Sequence, residues 1–206
     1  MEKRRVVIIG GGVAGTAAFA ALARAGVDAD IVDPLPAGEG TAFGVGDAGL
    51  LSNTSAELMS LRPGLPRDFA RARGAPADGE VFAPRREFAR YLRGVYETCA
   101  GRPGSAHRRI ARRAVAVRPL GEGAGYRVLL DDGSQVPASD VLVCLGWGPS
   151  RVPAGLGGRP GIVTSPFPDD RMLEAVPPSG RVLVLGTKLS AIDAALLLAR
   201  WPRRAS

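Results

Sequence analysis

Lysine, histidine and cysteine are almost missing from this chain. Its 206 residues hold two lysines, Lys3 and Lys188, one histidine, His107, and two cysteines, Cys99 and Cys144. A single histidine supports no facial iron triad. It supports no Ser-His-Asp set either, because no elbow serine accompanies it, and His107 reads as an exposed, inert side chain at the start of the strand HRRIARR. Two cysteines make neither a disulfide framework nor a zinc set, and this usage fits a reducing cytoplasm. Cys144 lies in the apolar run VLVCLG and reads as a small buried hydrophobe, while Cys99 closes a helical stretch. Aromatic residues are 5% of the chain, too few for a surface that stacks the bases of a single strand. No G-X-Y repeat organises the 28 glycines and 17 prolines, so they mark turns and close backbone approaches. Uninterrupted apolar spans are missing too: the run 182–199 contains Lys188 and Asp193, each costly at a bilayer centre, so no membrane partner is expected. Residues 1–25 imitate a secretory signal, but Gly10, Gly11 and Gly12 would break its apolar helix.

Arginine supplies the net charge of +7, from 27 basic against 20 acidic residues. The densest clusters are Arg108-Arg109 with Arg112-Arg113, and Arg200 with Arg203-Arg204. Neither is interleaved with aromatics, so they read as solvated charge rather than a nucleic-acid surface, and an anionic small molecule suits them equally well. A hydrophobic fraction of 46% with 23% charged residues excludes a disordered chain, and the length allows one domain and a fraction.

The glycines then acquire positions. Residues 5–9, RVVII, form a β-branched run short enough for a buried parallel strand. Gly10-x-Gly12-x-x-Gly15 follows, then a helical pattern from Val13 to about Ala25, stopped by Gly26. A second strand, ADIV, ends at Asp33. Gly10 permits the tight strand-to-helix turn, Gly12 lets backbone approach a pyrophosphate, and Gly15 lets the helix pack on the strand. The helix N-terminus would hold the phosphates, and Asp33 stands where a carboxylate meets ribose hydroxyls. Beside it is Pro34. Residues 34–66 then run without regular period, as a long ligand-wrapping loop does. Pro84 can start a helix with Phe88, Tyr91, Leu92 and Val95 on one face. Strands are expected at 110–117, 126–130, 135–136 and 140–145, with a tight primed turn at Asp131-Asp132-Gly133. Val117 is a further candidate cofactor contact on the first of these.

The pieces GGGVAGTAAFAAL, IVDPLPAGEGTAFG, LLSNTSAELMS, FAPRREFARYL and VLVLGTKLSAID, in that order, resemble the FAD-NAD(P)-binding family of bacterial two-dinucleotide flavoproteins. That family is related to the flavin-containing and N-hydroxylating monooxygenases. The resemblance implies that Gly10, Gly12, Val13, Ala14 and Gly15 cradle the FAD pyrophosphate and that Asp33 binds the adenosine ribose. Gly38, Gly40 and Ala42 would belong to the family's glycine-rich stretch after the second strand. Asn53 would lie near the flavin ring, Arg85 and Arg86 would match its "PRR" step, and Gly146 would close the return strand beside FAD. Trp147, followed by Gly148 and Pro149, reads equally as a stacking group or as packing.

A second strand-turn-helix follows: RVLVL at 181–185, Gly186, and a helix from about Leu189 to Arg200 with Ile192, Leu196 and Ala199 on one face. In the resembled family this turn binds NAD(P)H. Lys188 occupies the place of the second glycine, which obstructs close approach of a pyrophosphate yet offers a charge to a phosphate. A complete nicotinamide domain is on the order of 100 residues longer than what remains. The expected fold is therefore α/β: a Rossmann-like unit over 1–178 with a central parallel sheet and a small antiparallel hairpin insertion, then an incomplete second unit over 179–206. The expected function is FAD-binding oxidoreduction of the monooxygenase or hydroxylase kind, with NAD(P)H as a doubtful reductant. The partner would be a small substrate or a completing protein. The alternative is a non-catalytic or partner-dependent flavin module.

Overall fold

A computed structural model describes residues 4–201 except 48, 63, 75–80, 105, 149–151, 153–154, 157–158 and 178. Lys3, Pro149, Arg203 and Arg204 therefore lie outside the described residues. Strand β1 (Arg5–Ile9) leads into helix α1 (Val13–Arg24) and strand β2 (Asp28–Val32). The long connection that follows carries the short helices α2 (Gly40–Phe43) and α3 (Asp68–Ala72) and the long helix α4 (Arg85–Ala100). Strands β3 (His107–Ile110), β4 (Ala114–Pro119), β5 (Tyr126–Leu130), β6 (Gln135–Ala138) and β7 (Asp140–Val143) come next, then helices α5 (Asp169–Ala175) and α6 (Leu189–Arg200).

The strands form two sheets. A parallel sheet has the order β3-β2-β1-β7, and an antiparallel sheet the order β4-β5-β6. The first is the doubly wound order with the second inserted before its fourth strand. Alternation along β1 builds three layers. Val6 and Ile8 face α1 and α4, packing with Phe19, Ala23, Ile31 and Cys99. Val7 and Ile9 face the other way, onto Val128, Leu130, Val136 and Ala138 of the antiparallel sheet. With both faces covered, β1 reads as an unbroken apolar run, and each such fully buried side chain contributes about 1.5–3 kcal/mol.

Several expectations need correction. The run 110–117 is two strands: β3 joins the parallel sheet beside β2, and β4 turns into the antiparallel one. The small antiparallel insertion contains the expected hairpin, β5 with β6, and β4 adds a third strand to it. Its turn is not a primed one, because only Gly133 has positive φ (83°) while a type I′ turn needs two such residues. Asp132 organises this turn, accepting hydrogen bonds from the Ser134 amide and hydroxyl. His107 is half-buried, its ring edge-on to Phe19 at 4.8 Å. Residues 181–185 form no strand; no other described strand pairs with them, and Leu183 is 81% exposed. A parallel strand exists through its ladder, and an apolar run without one stays extended coil. On α6 the buried face is Asp193, Leu197 and Leu198, not Ile192 and Leu196, because Val45, Leu50 and the Met172 and Leu173 side chains of α5 supply the core it packs on.

Candidate cofactor site

The turn after β1 is built so that side chains would destroy it. Gly10 has φ 101°, and a Cβ there would stand 2.3 Å from the carbonyl oxygen of Cys144. A Cβ on Gly15 would stand 1.8 Å from the Gly10 carbonyl oxygen, so α1 rests directly on the turn. At Gly12 the space is open: a Cβ would meet only the Gly40 Cα, at 3.7 Å. The first turn of α1, with Val13, Ala14 and Gly15, has no side-chain cap and no acidic residue. Its amides and dipole therefore face an opening that suits a diphosphate.

Asp33 closes the cradle from β2. Its Oδ2 accepts from the Gly11 amide at 2.6 Å and its Oδ1 from the Leu35 amide at 2.7 Å. Pro34 between them is exposed. The following loop folds back over the turn, with the Gly38 amide donating to the Gly11 carbonyl at 2.7 Å and Gly40 against Gly12. The same loop continues into Ala42 and Phe43, which form one wall of a cavity of about 370 Å³.

That cavity is further lined by Ser52, Asn53, Thr54 and Arg85, and by Trp147, residues 164–167 and Ser190. Its volume falls in the range of small-molecule and cofactor sites. Asn53 is therefore at the cavity. Gly146 is exposed and adjoins the cavity through Trp147, which is 66% exposed at its edge. Arg86 is exposed on α4 and does not line the cavity; its neighbour Arg85 does. Val117 pairs with Val128 inside the antiparallel sheet and is not among the residues gathered at the cradle or the cavity. A wider concavity of about 960 Å³ along α4, lined by Arg73, Tyr91 and Arg102 among others, shares no residue with it.

At the second turn Gly186 has φ 125° and open space where a Cβ would stand. Lys188 is the exposed N-cap residue of α6, again without a side-chain cap. Ser190, two residues on, lines the cavity, so the start of α6 and the loop that runs on from the first cradle both contribute to it.

Of the two arginines at the "PRR" step, Arg85 is buried and donates to the carbonyls of Leu51 and Ala42 and to the carboxylate of Asp193 on α6, a residue sequence reasoning missed. Burial pushes the Asp193 carboxyl above its ordinary range, with the Arg85 charge opposing. The signal was a carboxylate within an apolar helix, at i,i+4 spacing from Leu197. Burial likewise raises the Cys144 thiol, which argues against a thiolate nucleophile there. Much of the arginine charge is spent internally: Arg5 and Arg108 hold the fully buried Asp30, Arg112 holds Asp132, and Arg200 holds Asp47.

No curated protein matches this sequence. Among solved structures, a mutant flavin monooxygenase from Stenotrophomonas maltophilia matches with 28% identity and a TM-score of 0.57, over 79% of this chain and 45% of its own. Open cyclohexanone monooxygenase matches with 22% identity and a TM-score of 0.61, over 96% of this chain and 38% of its own. A protein named OTEMO, in complex with FAD and NADP, matches with 20% identity and a TM-score of 0.52, over 75% of this chain and 28% of its own. The chain thus spans less than half the length of each, and the two matches under 25% speak for the fold alone. No helix among the described residues is long and apolar enough to cross a membrane. The family model described as FAD-NAD(P)-binding covers residues 7–148, from β1 through the cradle to the glycines after β7, and the chain belongs to that family.

Proposed function

We propose that this chain is the FAD-binding part of a flavin-dependent oxidoreductase of the monooxygenase type, with NAD(P)H as its reductant. The observation that carries the reading is the continuity between cradle and cavity. The Gly10–Gly15 turn leaves an opening at the α1 N-terminus, the Gly38–Gly40 loop closes over it, and that loop runs on as the wall of a ring-sized cavity. Val13, Ala14 and Gly15 would hold the diphosphate, Asp33 the ribose, and Asn53 and Arg85 the flavin ring. Bound FAD would supply the redox chemistry, accepting hydride and passing electrons to oxygen. Phe43, Pro166 and Phe167 are an apolar part of the cavity lining and would limit water at a bound ring. Both cysteines are free thiols, which suits the cytoplasm.

A second reading is a flavin module completed by another protein or a further segment. It is favoured by the unpaired apolar run at 181–185 and by Lys188 in the place of a cradle glycine. One experiment separates the two. The purified protein, supplied with FAD, is desalted and its visible absorbance recorded, then NADPH or NADH is added without oxygen. Bleaching supports the oxidoreductase. A bound flavin that neither nucleotide bleaches leaves the module, and protein that retains no flavin overturns both.

A further inference from the structure

Arg85 is the single ionisable side chain among the described residues that line the ring cavity. It is not a surface charge: its side chain is 8% exposed, and that of its partner Asp193 is 11% exposed. The guanidinium is immobilised from four segments. Nε donates to the Leu51 carbonyl at 3.0 Å, Nη1 to the Ala42 carbonyl at 3.3 Å and Nη2 to Asp193 Oδ2 at 3.1 Å, while the Phe167 ring centroid lies 4.7 Å from Cζ. Asp193 does not line the cavity, so the pair presents its positive end to the interior and keeps its negative end behind, on the helix of the second unit.

We propose that Arg85 and Asp193 form a positioning pair that sets the reduction potential of the cofactor ring, Arg85 favouring the reduced form and Asp193 attenuating it. The proposal rests on the flavin reading above. Reduction of a flavin adds two electrons and one proton, which leaves the ring with one negative charge near neutral pH. A fixed positive charge held beside the ring stabilises that product over the neutral oxidised ring. Because Asp193 belongs to α6, that helix would act on the ring's potential through Arg85. A purely structural ion pair would hold α6 in place and leave the potential alone.

The test is a dye-coupled reductive titration with dithionite on the FAD-loaded full chain. Asp193→Asn keeps an oxygen acceptor for Nη2 but removes the attenuating charge. It is expected to shift the reduced-to-oxidised ratio at fixed potential at least tenfold toward reduced, about 30 mV for a two-electron couple. The double variant Arg85→Gln/Asp193→Asn removes the positive end as well and is expected to shift the ratio toward oxidised relative to the unsubstituted protein. Asp193→Glu, which keeps the charge, is expected to stay within about twofold of the unsubstituted protein, well inside the tenfold step. If Asp193→Asn does not fold, the double variant decides. Equal potentials with FAD bound throughout overturn the proposal and leave the flavin reading standing. Failure of the unsubstituted protein to take up FAD overturns both. Loss of FAD from both the single and the double variant assigns the pair to the fold and overturns the tuning role.

Discussion

The Gly11 amide donates a 2.6 Å hydrogen bond to Oδ2 of Asp33, tying the turn after β1 to the end of β2. The carboxylate therefore shapes the cradle before any ligand arrives. Charge-assisted bonds of this kind contribute about 1.5–3 kcal/mol. Asp33→Ala is expected to weaken FAD binding by about ten- to a hundredfold at 1.4 kcal/mol per decade. Titration of apoprotein with FAD, followed by fluorescence quenching, measures it. An unchanged affinity removes Asp33 from the site.

Glycines of this chain separate into those that are crowded and those that are not. Gly15→Ala would push α1 off the Gly10 carbonyl, which a Cβ would approach to 1.8 Å. The expected cost is about 1–3 kcal/mol, seen as a lower Tm and lost FAD uptake. Gly94→Ala on α4 is the opposite case, exposed with no atom within 4 Å of the added Cβ. It is expected to stabilise by about 0.5–1 kcal/mol through helix propensity. Paired thermal melts check both.

Tyr91 should ionise late. Its hydroxyl donates to Asp68, and burial first, then that carboxylate, push its pKa to about 12. A tyrosinate difference titration of the native protein against Tyr91→Phe is expected to place the missing absorbance near pH 12. A missing component at ordinary phenol pH would show the hydroxyl free of Asp68.

Two carboxylates give opposite pH signatures. The Arg4 hydrogen bond, then Ser139, lower the Asp140 pKa. Its contribution is therefore present above the ordinary carboxylate range and lost as pH falls through the folded value. Burial raises Asp193, so its ionisation works against folding as pH climbs from the ordinary carboxylate value to the raised one. In urea titrations across the acid range, Arg4→Ala is expected to flatten the loss at the lowest pH. The effect should shrink in salt, since Arg4 and Asp140 are exposed. Asp193→Asn is expected to remove the decline at higher pH.

The cradle was legible because its requirements are local. Gly10 and Gly15 are demanded by backbone within a few residues or by the end of the adjacent strand, and Asp33 follows from the length of one βαβ unit. The helix faces were legible only where one partner decides them. On α4 the stripe of Phe88 and Leu92 is buried as its period requires. On α6, apolar residues lie on more than one side, and the period alone pointed to the wrong face. The choice between Arg85 and Arg86 was also closed to sequence reading, because adjacent residues at a helix start differ by about 100° and nothing in the string says which direction the cavity lies.

The order of residues alone determined the dinucleotide cradle, the α/β alternation and the altered second turn, since each rests on spacing along the chain and the steric demands of glycine. Tertiary structure decided which arginine enters the cavity, that its counter-charge comes from Asp193, 108 residues away, and that 181–185 does not become a strand. Those outcomes depend on long-range partners: a buried charge settles where an opposite charge and free carbonyls meet it, and a strand forms only where another strand accepts its hydrogen bonds.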